Sequence, residues 1–457
     1  MKKYLFVFSI LFSTLVFSQD RFEKIDNYLK LLNENNKFMG SLTIREGENV
    51  VFNKAYGFAD VDQNIKANRL TKYKIGSITK TFTAVMIMQL IEEKKLRMET
   101  KLHKFFPKVA KSDSISIYDL LYQRSGIPDY INHDSLTTEE ENAANIKSAI
   151  YNKIENYKSR FTPGSKFEYS DSNYYLLGGI LEKITKKTYQ ENLNERIVQK
   201  AGLGNSNEKL EMTDKGAVKK QVFEATTYYK TENTDPNNKE SYSYSFNGKK
   251  WEQFPEWKNE TAFSAGGIIS TSADLTRFYF NLFEGKLVNK KTLSQMTEVK
   301  EGYGAALIQM PFGERNFFGH SGAIENFKSV VGYYPTEQTG IALTMNGDNY
   351  NQNDIMIGIL SIYYKLPFPM PTFKTVTPEL IAQYSGDYTS KDIPLKLKVF
   401  EKSGELMAQA TGQGAFPLTI QDDKTFVFPA AGIEISFNTD SLVLKQGGMK
   451  FNFVKEK

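Results

Sequence analysis

The chain has 457 residues, 40% of them apolar, with 33 Phe, 26 Tyr, no Cys and a formal charge of +5. That length exceeds one ordinary domain, and the composition suits a packed, aromatic-rich protein and excludes a disordered one. Without thiols there are no disulfides, cysteine nucleophiles or thiolate metal sites, and the near-balanced charge argues against nucleic acid as a partner.

Residues 1–18 read as an export signal: Lys2 and Lys3, an apolar run from Tyr4 to Phe17, then Ser18 and Gln19. The run is too short for a membrane span, so the expectation is an exported protein, periplasmic or secreted, with no stable membrane anchor after cleavage. Ile25, Tyr28, Leu29 and Leu32 then recur at helical spacing. Two strand-like runs follow, Ser41 to Arg45 and Val50 to Gly57, joined by a turn.

"KIGSITKTFTAVM", from Lys74, places Ser77 and Lys80 three apart before a long apolar helix carrying Phe82, Val85, Met86, Leu90 and Ile91. That spacing sets both side chains on one side of the helix start. A serine hydroxyl needs a neighbouring base to become a nucleophile. A lysine serves only if it gives up its own proton, which burial and the positive end of a helix both favour. Backbone amides at the same helix start suit a developing oxyanion. Taken alone, the spacing fits a helix N-cap beside a solvated lysine equally well. A second Ser-x-x-Lys, Ser206 to Lys209, sits in a polar, turn-rich stretch with no helix after it.

An Asn-, Lys-, Glu- and Tyr-rich insert runs from Asn205 to Ala262, either a cap over a site or a surface excursion. Alternation returns in Tyr303 to Met310, Phe327 to Tyr334 and Gly340 to Met345, and a last helix covers Ile355 to Tyr364. Strands at both ends of a helical middle predict an α+β domain over 20–365, its mixed sheet closed by N- and C-terminal segments. A Pro-rich linker is expected over 366–378, and short alternating runs predict a small all-β barrel or sandwich over 379–457.

Further blocks follow in order: "ISIYDLLYQRSGIPDY" from Ile115, "FEYSDSNYYLLGGILEKITKKTY" from Phe167, "FSAGGIISTSADLTRF" from Phe263 and "FGHSGAIENFKS" from Phe318. With the Ser77 block they resemble the penicillin-recognising serine hydrolases: class C β-lactamases, D-alanyl-D-alanine carboxypeptidases, D-aminopeptidases and related esterases. The resemblance covers roughly Phe22 to Lys365 and implies a β-lactamase/transpeptidase-like antiparallel sheet with a helical subdomain. It implies Ser77 as the acylated nucleophile, Lys80 as its base and Tyr169 as the proton carrier. The strand His320, Ser321, Gly322 would take the place of the family's Lys-Thr-Gly, with the amides of Ser77 and Ala323 forming an oxyanion hole. The acyl-enzyme would need no metal or organic cofactor, and the partner would be a small molecule or peptide, with peptidoglycan-derived peptides among the candidates.

Two positions depart from the family pattern. Asp171 stands where an Asn is usual, and an ionised carboxylate accepts but does not donate hydrogen bonds. It would also hold a proton on Lys80. The expectations are a protonated Asp171, a substitute role for Asn173, or a raised working pH. His320 replaces a permanently charged lysine, and a mostly neutral imidazole holds a substrate carboxylate less firmly. That shifts the expected substrate from β-lactams towards esters or D-amino-acid amides.

No Gly-x-Ser-x-Gly elbow is present, and His103, His133 and His320 have no zinc-type spacing. The rival reading is a penicillin-binding-like protein that holds cell-wall peptides or another ligand without turnover.

Overall fold

The computed structural model describes residues 21–133, 145–213, 216–373, 376–402, 404–428 and 431–456, with the backbone alone over 205–213 and 216–222. The export signal expected over 1–18 lies outside the described residues. The chain divides into two compact units after Pro367, within the proline-rich stretch.

The first unit is built on an eight-stranded sheet. Helix α1 (21–34) leads into β1 (Phe38–Glu46) and β2 (Asn49–Tyr56), an antiparallel hairpin. Helix α2 (Thr79–Glu92) follows the Ser77 region, and α3 (Asp171–Thr185) carries the Asp171 block. Two short strands of the insert, β3 (Tyr244–Phe246) and β4 (Trp251–Gln253), form a small hairpin. Helix α4 (Ser272–Phe283) precedes β5 (Ile308–Phe312), β6 (Arg315–Ile324), β7 (Phe327–Tyr334) and β8 (Thr339–Asp348). Helix α5 (Gln352–Tyr363) closes the unit.

Strands β5 to β8 form an antiparallel meander, and β1 pairs along the other side of β8, with Leu42 opposite Leu343. The N-terminal hairpin therefore closes the sheet formed by the C-terminal strands. Tyr244 of β3 bridges Gly347 in parallel, so part of the insert joins the sheet instead of ranging over the surface.

Helix α2 is more central than one apolar face would predict: every residue from Thr79 to Leu90 is buried. Its threonines make this possible by spending their hydroxyls internally, Thr81 on the Ala306 carbonyl at 2.8 Å and Thr83 on the Ser264 carbonyl at 2.7 Å. The expected strand from Tyr303 begins only at Ile308. Ala306 has a positive φ of 54°, and the Gly304 amide donates to Leu307, so that stretch is a turn.

The second unit is a nine-stranded antiparallel sheet in which the first strand, Gly386–Ser390, pairs with the last, Met449–Lys455. Tyr388, Leu397, Leu406, Phe426, Phe437 and Leu442 fill its interior, giving a nearly closed barrel-like core. Among the described residues no helix is long and apolar enough to cross a membrane.

Candidate active site

Ser77 sits in a 3-10 turn, Gly76–Ile78, immediately before α2. Gly76 adopts φ +53°, and a Cβ there would stand 2.6 Å from the Ala323 amide nitrogen. On the other side of the junction, a Cβ on Gly322 would stand 2.0 Å from the Ile75 carbonyl oxygen. Two glycines thus let the Ser77 turn and β6 meet backbone to backbone, and Ser329 of β7 adds a 2.8 Å hydrogen bond to the Ile75 carbonyl. Strand β5 pairs with β6 only as far as Gly319. From His320 to Ala323 one edge of β6 has no strand neighbour, and that edge meets the Ser77 turn.

Lys80 lies one turn into α2 and is fully buried. Its Nζ donates to Ser77 Oγ at 3.0 Å, to the Ala265 carbonyl at 2.9 Å, and to Asp171 Oδ1. The Tyr169 hydroxyl donates to the same Ser77 Oγ at 2.9 Å. Residues 92 apart in sequence therefore meet on one oxygen. Burial, the nearby Asp171 charge and only a partial offset from the Ser77 bond push the Tyr169 phenol far above its ordinary range. The phenol stays protonated and acts here as a donor.

Asp171 begins α3, and its carboxyl is pushed up, chiefly by burial, which outweighs the opposing charge of Lys80. Asn173 corrects an expectation. It is fully buried, its Nδ2 donates to Gln123 Oε1 at 2.5 Å and its Oδ1 accepts from Ser125 at 2.5 Å. Both amide atoms are spent away from the pocket, so Asn173 neither binds substrate nor stands in for the missing Asn. Asp171, two residues earlier, is the one that lines the pocket.

The pocket has a volume of about 750 Å³ and is lined by Ser77, Tyr169, Asp171, His320, Ser321 and Ala323, among others. His320 is only 2% exposed. Its Nδ1 lies 2.5 Å from the Ser321 carbonyl, which only an N–H satisfies, so Nε2 accepts from the Tyr303 hydroxyl at 3.3 Å. Burial first, then the Lys80 charge, lowers the imidazole to about 3 against the backbone bond to Ser321. It is therefore a neutral wall of the pocket.

This has a measurable cost. Unfolded, the imidazole takes up its proton near 6.5, whereas folded it resists protonation to about 3. The unfolded chain binds the proton first, so stability falls as pH drops from 6.5 towards 3 and this contribution is constant above that window. His320→Gln should lose about 2–3 kcal/mol less than wild type between pH 6.5 and 4.5 in urea denaturation, at ~1.4 kcal/mol per unit. Equal losses would show a solvated ring.

Three contributors carry no sequence signal of their own. Ala265 supplies a carbonyl to Lys80, Tyr303 fixes the imidazole, and Trp257, from the insert, lines the pocket mouth. Gly266 also lines the pocket, whereas the turn at Arg124, Ser125 and Gly126 supports Asn173 from behind.

A mixed sheet, a helical region and a Ser-Lys-Tyr cluster where they meet define the β-lactamase/transpeptidase class of fold. The chain belongs to the Beta-lactamase family, whose model matches residues 30–359. Protein flp of Staphylococcus aureus is 27% identical over 323 residues, 67% of this chain and 59% of that protein. The chain thus spans under two thirds of that relative's length. The structure is similar to an octameric penicillin-binding protein homologue from Pyrococcus abyssi, with TM-score 0.67 and 21% identity over 95% of this chain and 99% of the other. It is also similar to a D-amino acid amidase from Ochrobactrum anthropi, with TM-score 0.62 and 22% identity over 76% and 99% of the two chains.

Proposed function

We propose that this protein is an exported serine acyl hydrolase that works through an acyl-enzyme on Ser77. The observation that carries the reading is the convergence of Lys80 Nζ and the Tyr169 hydroxyl on Ser77 Oγ, at 3.0 and 2.9 Å, at the wall of a substrate-sized pocket. In acylation, Lys80 first gives a proton to the Asp171 carboxylate it touches, and Ser77 Oγ then attacks the acyl carbon while its own proton passes to the Lys80 amine so formed. The bond to the leaving oxygen or nitrogen breaks, Tyr169 protonates that atom, and Tyr169 recovers its proton from Lys80. Water then repeats the sequence and frees the acid. The amides of Ser77 and Ala323 flank the place where the oxyanion forms.

The D-amino acid amidase among the structural relatives supports hydrolysis of a D-amino-acid amide, and the neutral His320 suits an ester as well. The contact of Asp171 with Lys80 is what favours the alternative, a binder without turnover. A fluorophosphonate probe separates the two. It should label wild type at Ser77 and leave Ser77→Ala unlabelled; an unlabelled wild type defeats the hydrolase reading. Export rests on the run Tyr4 to Phe17. N-terminal sequencing of secreted protein should start near Gln19, and an intact Met1 would refute it.

A further inference from the structure

We infer that the substrate at Ser77 is an uncharged ester with an apolar acyl group, selected by Trp257; this rests on the acyl-hydrolase reading. The first ground is an account of charge. Among the described residues, those lining the pocket with ionisable side chains are Tyr169, Asp171, His320, Glu325 and Lys328. The Tyr169 phenol is protonated and His320 is neutral. Asp171 is taken by Lys80. Glu325 is taken by Lys74 at 2.5 Å and by the Trp257 amide at 2.9 Å. Lys328 is taken by Asp348 at 2.5 Å. Among the described residues each of these charges therefore has a counter-charge on the protein, buried for Asp171 and Glu325 and at the exposed rim for Lys328.

A substrate carboxylate, as on a β-lactam or a peptide C-terminus, would leave water here without meeting a free cation. A substrate ammonium, as on a D-amino-acid amide, would leave water without meeting a free anion. Either transfer is penalised unless a pair replaces the lost hydration. An uncharged ester incurs neither penalty.

The second ground is the shape and chemistry of the remaining wall. Trp257, which lines the pocket, is a large indole 41% exposed. Ile131, Ala262, Ile308 and Ile324 line the same pocket. An indole face beside aliphatic side chains takes an aromatic or branched acyl group. The lining also holds neutral amides: Asn132, Asn351, Gln352 and Asn353. Gln352 Nε2 is buried with no partner among the described residues, a neutral donor for an ester or carbonyl oxygen.

The test compares p-nitrophenyl esters that differ in the acyl group, with nitrocefin and D-phenylalanine p-nitroanilide as charged alternatives. The phenylacetyl ester should exceed the hemisuccinyl ester in kcat/KM by ~100-fold or more, and both charged alternatives should be poorer still. Trp257→Ala should lower kcat/KM for the phenylacetyl ester about 10-fold while changing the acetyl ester less than about 3-fold, and Trp257→Phe should restore most of the loss. Because Trp257 is at the surface, its replacement leaves the core intact. If fluorophosphonate labels Ser77 but the hemisuccinyl ester or D-phenylalanine p-nitroanilide is preferred, this inference falls and the hydrolase reading stands. If Ser77 is not labelled, both fall.

Discussion

Replacing Lys80 with alanine is expected to slow acylation of Ser77 by at least ~100-fold, the scale of losing a general base. Measured as the rate of fluorophosphonate labelling, the effect should persist across pH, because no other lysine or histidine touches Ser77 Oγ among the described residues. The substitution also removes the buried partner of Asp171. Breaking such a pair from one side costs about 3–5 kcal/mol. Burial already raises the Asp171 carboxyl, and without Lys80 it rises further. An acid raised on folding is easier to protonate in the folded state, so the variant's stability should decline as pH climbs from about 4. Adding Asp171→Asn to Lys80→Ala should recover stability and leave acylation slow. If the double variant also regained its rate, Lys80 would be a structural cation and not the base. A single variant labelled at near wild-type speed would assign the proton transfer elsewhere.

Gly322→Ala should have an effect of similar size for a different reason. The new Cβ would lie 2.0 Å from the Ile75 carbonyl and 2.7 Å from Ser329 Oγ, and the first of these is backbone that has no rotamer to escape into. Strand β6 and the Ser77 turn must separate, which costs about 1–3 kcal/mol as overpacking and moves Ala323 away from the nucleophile. A shift of about 1 Å in a reacting geometry costs on the order of 100-fold. Labelling should therefore fall much further than urea stability. Unchanged labelling would show that the junction is loose and that the Ala323 amide has no part in the oxyanion hole.

Parts of this site are legible in the residues, and the limits have physical causes. Ser77 and Lys80 stand out because a helix start fixes two side chains three apart on one side. Tyr169 is one of 26 tyrosines and stands out only through the block around it. Asn173 misleads, although helix geometry contains the correction: residues two apart on α3 point to opposite sides, so Asp171 and Asn173 cannot share a pocket. Trp257 comes from an insert without periodicity, and long-range ties such as the bridge of Tyr244 to Gly347 and the Asn346 bond to the Tyr242 carbonyl return that insert to the sheet. Partners such as Lys74 and Glu325, 251 residues apart, have no local signal at all. The barrel-like second unit is the opposite case. Most of its runs alternate, and apart from the pairing of its first strand with its last the strands that pair are neighbours in sequence, so local pattern and topology largely agree.

The docking of β6 against the Ser77 turn also sets a timetable for the molecule. Synthesis must proceed about 240 residues past the serine before Gly322 and Ala323 exist to complete its surroundings. A nascent chain that ends between α4 and β6 carries the hydroxyl without the strand that meets it.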